Sequence, residues 1–220
     1  SMLKKPFTFK IGGEAGYGIM TSGLTFSKLA TRSGYYIFNY SEYPSIIRGG
    51  HNMVQVTVSE NPVAASYQTT DLLIALNQET AHLHAIELLP GSGIVYDSDK
   101  CALPKLARGV NKFGVPMDKI CKEIANSYLF RNTLALGITA GLLGADIKVL
   151  KNLLSEEFAG KSTDLIEKNH KVAQAGYDYA LENYLEKTQD ILQKKNKVEK
   201  QIVISGNEAI ALGAVTAGLQ

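Results

Sequence analysis

Two clusters in the first quarter of the sequence have the residue types and spacing to hold an anion. The first is Lys10-Ile-Gly-Gly-Glu-Ala-Gly-Tyr-Gly18, with glycines at positions 12, 13, 16 and 18. Glycine reaches backbone conformations closed to other residues and lets a ligand approach the main chain. A helical pattern begins near Ile19, so the unpaired N–H groups of a helix N-terminus are expected behind the turn. The second cluster is Ser41-Glu-Tyr-Pro-Ser-Ile-Ile-Arg-Gly-Gly50, followed by His51. Arg48 offers a planar fork of donors, and Gly49 and Gly50 expose backbone N–H groups. Gly12, Gly13, Gly16, Gly18, Arg48, Gly49 and Gly50 are therefore the candidate binding residues. His51 has the chemistry for acid–base work, and a single histidine at a strand start equally suits a structural hydrogen bond.

The chemistry left open is narrow. A dinucleotide fingerprint places glycines at its first, third and sixth positions. Gly13, Ala15 and Gly18 give the nearest register, with Ala15 where the backbone should meet the pyrophosphate. Glu42 follows the second strand, about where a ribose-binding acid would stand. The same residues also suit a tight strand–helix turn with no ligand. There is no Ser/His/Asp or Cys/His constellation, no P-loop and no paired metal ligands, so neither a catalytic residue nor a metal site is expected. His82 and His84 are expected on opposite sides of one helix and not to share a metal. Cys101 and Cys121 show no CxxC pairing and read as buried free thiols. An iron–sulfur cluster generally takes four thiolates, so this chain alone cannot hold one.

These residues need elements to position them. Residues 7–11 alternate as a strand, 19–33 read as a helix ended by Gly34, and 35–40 form a second strand. The crossover rule makes these two strands parallel. Further strands are expected at 51–58, 71–76, 93–97 and, at an edge, 110–117. The run Asp71-Leu-Leu-Ile-Ala-Leu76 is nearly all apolar, as in strands buried on both faces. A helix is expected over 79–89, stopped by Pro90-Gly91. Helices follow at 119–128 with Asp118 as cap, at 133–143 with Asn132 as cap, at 147–158, and from Ser162/Thr163 to Leu185. The small residues of 133–143 point to close helix packing. The fold class is α/β: a three-layer, Rossmann-like, mostly parallel sheet with helices on both faces and extra helices towards the C-terminus.

Composition narrows the class further. The apolar fraction is 45% and the net charge +2, which suits a globular chain and gives no reason to expect nucleic-acid binding. No apolar run is long enough to cross a membrane, and Lys4-Lys5-Pro6 leads straight to a strand, so no secretory leader and a cytoplasmic location are expected. Residues 186–201 are charged and read as a solvated helix end and linker. Residues 202–220 read as strand, turn and helix start. They are expected to open a second domain, and their apolar face to be disordered or packed opportunistically, on this chain or in a homo-oligomer.

The order and spacing of three motifs carry a resemblance. Gly12-Gly13-Glu-Ala-Gly16-Tyr-Gly18, Ser41-Glu-Tyr … Arg48-Gly49-Gly50 and Arg131-Asn-Thr-Leu-Ala-Leu-Gly137 together resemble the γ domain of 2-oxoacid:ferredoxin oxidoreductases, over residues 7–186. Ser205-Gly-Asn-Glu-Ala-Ile-Ala-Leu-Gly-Ala-Val-Thr-Ala-Gly-Leu219 is similar to the opening of the thiamine-pyrimidine (α) domain in the fused γ–α subtype, as in 2-oxoglutarate-type α subunits. The implied organisation is a γ domain over 1–186, a linker over 187–201, and the start of the α domain over 202–220. The resemblance implies oxidative decarboxylation of a 2-oxoacid to acyl-CoA with electrons passed to ferredoxin. Thiamine diphosphate, Mg, an iron–sulfur cluster and coenzyme A would serve the whole complex. The implied partners are the rest of the α subunit, a β subunit and ferredoxin. This chain would be an accessory part, inactive alone, touching coenzyme A through the seven candidate residues. The alternatives are a free-standing NAD(P)-binding oxidoreductase and a ligand-free assembly domain.

Overall fold

In the computed structural model, residues 3, 5–44, 50–195 and 201–219 are described. The strands are β1 (Phe7–Glu14), β2 (Tyr36–Glu42), β3 (His51–Ser59), β4 (Thr70–Ala75), β5 (Leu88–Asp97) and β6 (Asn111–Val115). The helices are α1 (Ile19–Arg32), α2 (Gln78–His84), α3 (Met117–Ala125), α4 (Arg131–Leu142), α5 (Ile147–Glu157), α6 (Thr163–Tyr184) and α7 (Gly206–Thr216). The six strands expected between residues 7 and 117 are all present, in the order β2-β3-β1-β4-β5-β6. β1, β4, β5 and β6 pair in parallel. β3 pairs antiparallel with both β1 and β2. The direction inferred for β1 and β2 therefore holds, but β3 lies between them.

Alternation along β1 sets the two faces of the sheet. Phe9 and Ile11 point to the face covered by α1, where the Phe9 and Phe26 rings stack 3.8 Å apart. α3, α4 and α6 complete this main core through Met117, Leu134, Ile138 and Val172. α4 and α6 meet at very short range because glycines face backbone. A Cβ on Gly137 would run into the Ala173 carbonyl oxygen, and one on Gly176 into that of Leu134. This is the close packing that the small residues of α4 suggest.

The opposite face carries Thr8, Lys10 and Gly12 of β1 and a thinner cover. Leu73, Ala75 and Ile94 pack there with Ala81 of α2, Leu88 and Cys101. The helices lie on both faces, unequally: among the described residues, α2 is the helix that packs here.

Several boundaries differ from the sequence reading, each for a local reason. β1 continues through Gly12 and Gly13 because β3 pairs with it as far as Glu14↔His51. α1 ends where expected, with Gly34 at φ 99° and Tyr35 N–H bonding the Ala30 carbonyl at 3.1 Å. α2 is short, and Pro90-Gly91 lie inside β5, whose register with β4 shifts between Thr70 and Leu72. Asp118 is not a cap. It sits in the first turn of α3, buried, and pairs with Arg131 and Lys100. Asn132 lies inside α4, not at its cap. The charged stretch after α6 is packed in part. Gln189 and Leu192 N–H groups bond the Leu142 and Leu143 carbonyls at 2.7 and 2.8 Å, and Leu192 is fully buried. Residues 201–205 form no strand. α7 follows with a Ser205/Glu208 capping box and no buried residue. None of the described helices is long and apolar enough to cross a membrane.

Candidate functional site

The C-terminal end of β1 meets three other segments. Gly12 and Gly13 belong to the strand and serve packing there. A Cβ on Gly13 would lie 2.9 Å from Ile19 Cδ1 and 3.3 Å from Leu76 Cβ; one on Gly12 would lie 2.7 Å from Thr80 Cγ2 and 2.9 Å from His51 Cε1. The turn proper is Ala15–Gly18. Gly16 and Gly18 have φ of 95° and 70°, which favour glycine. Gly16 has open space where a Cβ would stand. Gly18 is the N-cap of α1 and supplies no side chain, so no side-chain hydrogen bond caps the first turn of the helix. Gly50 is brought onto the turn, its carbonyl accepting from Ala15 N–H at 3.1 Å. The structure thus joins five of the seven candidate residues. Arg48 and Gly49 lie outside the described residues.

α4 adds two residues to this rim that the sequence reading did not name as binding residues. The Asn132 amide nitrogen would lie 2.8 Å from a Cβ on Gly18, and Asn132 Oδ1 accepts from Thr133 N–H at 2.9 Å. Its NH2 donors therefore overlie the turn. The Arg131 guanidinium carbon stands 5.9 Å over the Tyr17 ring, while its Nε pairs with Asp118 Oδ1. Lys100 pairs with the other oxygen of Asp118 and lies 5.6 Å over the Tyr128 ring. Two cations share this one carboxylate. Asp97, buried at the end of β5, is pushed up by burial despite the hydrogen bond from Asp99 N–H. The available signal was the Arg131-Asn-Thr segment, 113 residues from Gly18 in sequence and beside it in space.

Below the rim runs a partly buried polar string. Lys10, 3% exposed, places its ammonium 2.5 Å from Glu87 Oε2. Thr70 Oγ1 donates to the same oxygen at 2.7 Å. Glu87 Oε1 is 2.6 Å from His84 Nδ1, and His84 Nε2 is 2.9 Å from His51 Nε2. Burial alone would raise the Glu87 carboxyl, but hydrogen bonds from His84, Lys10 and Thr70 hold it down to about 2. Burial lowers His51, as do the charges of His84 and Lys10, against Glu79 and Glu42. His51, alone in the sequence, is one end of a histidine pair. Lys10, Glu87 and His84 line an open cleft of about 400 Å³ with Tyr40, Gln55 and Tyr67.

The dinucleotide alternative fails on topology. A ribose-binding acid belongs on the strand beside β1. Here β3 occupies that place, so Glu42 stands two strands from the turn, about 10 Å away at ordinary strand spacing. Its carboxylate accepts instead from Tyr40 OH at 2.7 Å.

Fold and rim together define a mixed α/β domain whose edge brings a glycine turn beside an arginine–asparagine helix start. Residues 8–179 match the family "Pyruvate ferredoxin/flavodoxin oxidoreductase", and the chain belongs to that family. Subunit VorA of ketoisovalerate oxidoreductase from Methanothermobacter thermautotrophicus is 32% identical over 177 residues, covering 79% of this chain and 36% of the relative. Subunit alpha of a 2-oxoacid:ferredoxin oxidoreductase from a Sulfolobus species is 24% identical over 253 residues, covering 96% and 38%. The chain spans a little over a third of these relatives. Among solved structures, the 2-oxoglutarate:ferredoxin oxidoreductase from Magnetococcus marinus, with 2-oxoglutarate, coenzyme A and succinyl-CoA bound, matches 98% of this chain and 38% of its own at 27% identity and TM-score 0.85. The gamma subunit of the keto/oxoacid ferredoxin oxidoreductase from Geobacter sulfurreducens shares the fold, with TM-score 0.68 at 22% identity over 80% of this chain and 99% of its own.

Proposed function

We propose that this chain is the γ-type part of a 2-oxoacid:ferredoxin oxidoreductase and contributes an anion-binding rim for coenzyme A without carrying out chemistry itself. The observation that carries the reading is the convergence of donors at one edge. The α1 N-terminus and the open Gly16–Gly18 turn meet the Asn132 amide and the Arg131 guanidinium there. Helix N-termini, glycine backbone and arginine forks are the groups that hold phosphates. Arg48 and Gly49 belong to the proposed rim by sequence. The Magnetococcus marinus enzyme was solved with coenzyme A bound, which supports that choice of ligand.

The remaining cofactors are assigned to other parts of the complex. Among the described residues no group of three His, Cys, Asp or Glu is arranged to hold a metal ion. The two cysteines are buried, and burial pushes the Cys121 thiol up to about 12, against the four thiolates a cluster takes. In this reading thiamine diphosphate, Mg and the iron–sulfur cluster belong to the rest of the α subunit and to the β subunit, with ferredoxin as electron acceptor. α7, which buries none of its residues, is read as part of the adjoining thiamine-pyrimidine unit over 202–220.

The reading is tested by calorimetry of the chain with coenzyme A and by 2-oxoacid-dependent dye reduction. Binding of coenzyme A, weakened by Arg131→Ala, together with no turnover by the chain alone, is expected. Turnover by the chain alone, or indifference to millimolar coenzyme A, overturns the accessory or the ligand part respectively.

A further inference from the structure

Arg131 is held from two sides. On the side of the turn, its guanidinium carbon stands 5.9 Å over the Tyr17 ring. On the interior side, its Nε pairs with Asp118 Oδ1. These two atoms are both enclosed, with no hydrogen-bond partner besides this pairing. The guanidinium is planar, so a carboxylate on its Nε edge leaves donors of the terminal amines pointing elsewhere. Among the described residues, neither terminal amine is paired with a carboxylate, and neither is an enclosed orphan.

Asp118 is itself fixed. It is buried in the first turn of α3, and its second oxygen pairs with Lys100. The turn after β5 sets Lys100, because the Lys100 and Cys101 N–H groups bond the Asp97 carbonyl at 3.3 and 2.9 Å. One carboxylate on α3 thus ties the end of β5 to the arginine that opens α4. Its own charge is of the wrong sign for an anion site, since a carboxylate repels an anion. Any gain from Asp118 therefore reaches the anion through the geometry of Arg131, not through its own field.

We propose that Asp118 is a positioning residue of this rim: it grips the Nε edge of Arg131 and holds the guanidinium over Tyr17, with the terminal amines left for a phosphate or pyrophosphate group. The fork is then ordered before the anion arrives, and the cost of immobilising a long side chain is not charged to binding. This rests on the anion-binding reading of the rim.

The test is calorimetry of the full 220-residue chain with coenzyme A and, separately, inorganic pyrophosphate. Asp118→Asn should weaken both by about tenfold, the ordering cost of one long side chain. Arg131→Ala should then cost less in the Asp118→Asn background than in the wild type, because the two residues act as a unit. A carboxylate acting only through its charge gives the opposite sign, tighter binding on its removal. NMR of the wild-type arginine side chains supplies a second readout and decides alone if Asp118→Asn does not fold. The Arg131 Nε–H signal, assigned by its absence in Arg131→Ala, should be protected from solvent exchange in the free chain and remain so with pyrophosphate bound. Unchanged or tighter binding in Asp118→Asn, or loss of that protection when pyrophosphate binds, overturns the proposal and leaves the anion-binding reading standing. No heat with either probe at millimolar concentration overturns both.

Discussion

The Lys10 ammonium lies 2.5 Å from Glu87 Oε2 in the middle of the sheet, where Lys10 is almost completely enclosed. A buried ion pair contributes little net stability over an apolar replacement, but removing one partner leaves a charge without compensation. Glu87→Gln should therefore cost about 3–5 kcal/mol in a urea melt. Lys10→Met with Glu87→Gln together should cost far less than the sum. An additive double variant would show that the two groups act independently.

The same carboxylate makes stability depend on pH. Its folded pKa of about 2 lies below the ordinary 4.5, so its contribution is fully present above 4.5 and is lost as pH falls through 2. A shift of that size is worth about 3 kcal/mol. Wild type should lose that amount between about pH 5 and pH 2 relative to Glu87→Gln, measured by denaturant midpoints across the range.

Gly137 sets the distance between α4 and α6. Gly137→Ala drives a methyl into the Ala173 carbonyl and should destabilise by about 3 kcal/mol, since backbone cannot yield as a side chain does. Gly213→Ala, with open space around it on α7, should leave the main melting transition unchanged. Equal melting temperatures for the two variants would contradict the close packing.

Arg131→Ala removes the charged fork beside Tyr17. A charge-assisted hydrogen bond is worth about 1.5–3 kcal/mol, so coenzyme A affinity should fall about 10- to 100-fold. Arg131→Lys should recover only part, because an ammonium lacks the planar fork. Full recovery by lysine would reduce the role of Arg131 to that of a point charge.

Cys121 is enclosed and burial pushes its thiol up to about 12; Cys101 is buried and also raised by burial. Neither should react with an aromatic disulfide reagent at pH 8 in the folded chain, and both should react in denaturant. Rapid labelling of a folded chain would show that the cover over these residues opens.

The sequence alone determined what repeats locally. The alternation of Phe7, Phe9 and Ile11, the apolar run 71–76 and the caps Gly34 and Ser162 are set by contacts within a few residues. They placed all six strands and most helices. The glycine spacing and the family motifs are likewise local, and they identified the turn that the fold then built. Tertiary structure alone decided what crosses the sheet. The insertion of β3 beside β1 moved Glu42 away from the turn. The packing of α4 brought Asn132 and Arg131 onto Gly18 and Tyr17, and α2 set His84 against His51. Each depends on strand order and helix placement, which bring together residues tens of positions apart. No pattern at the period of a strand or helix encodes those meetings.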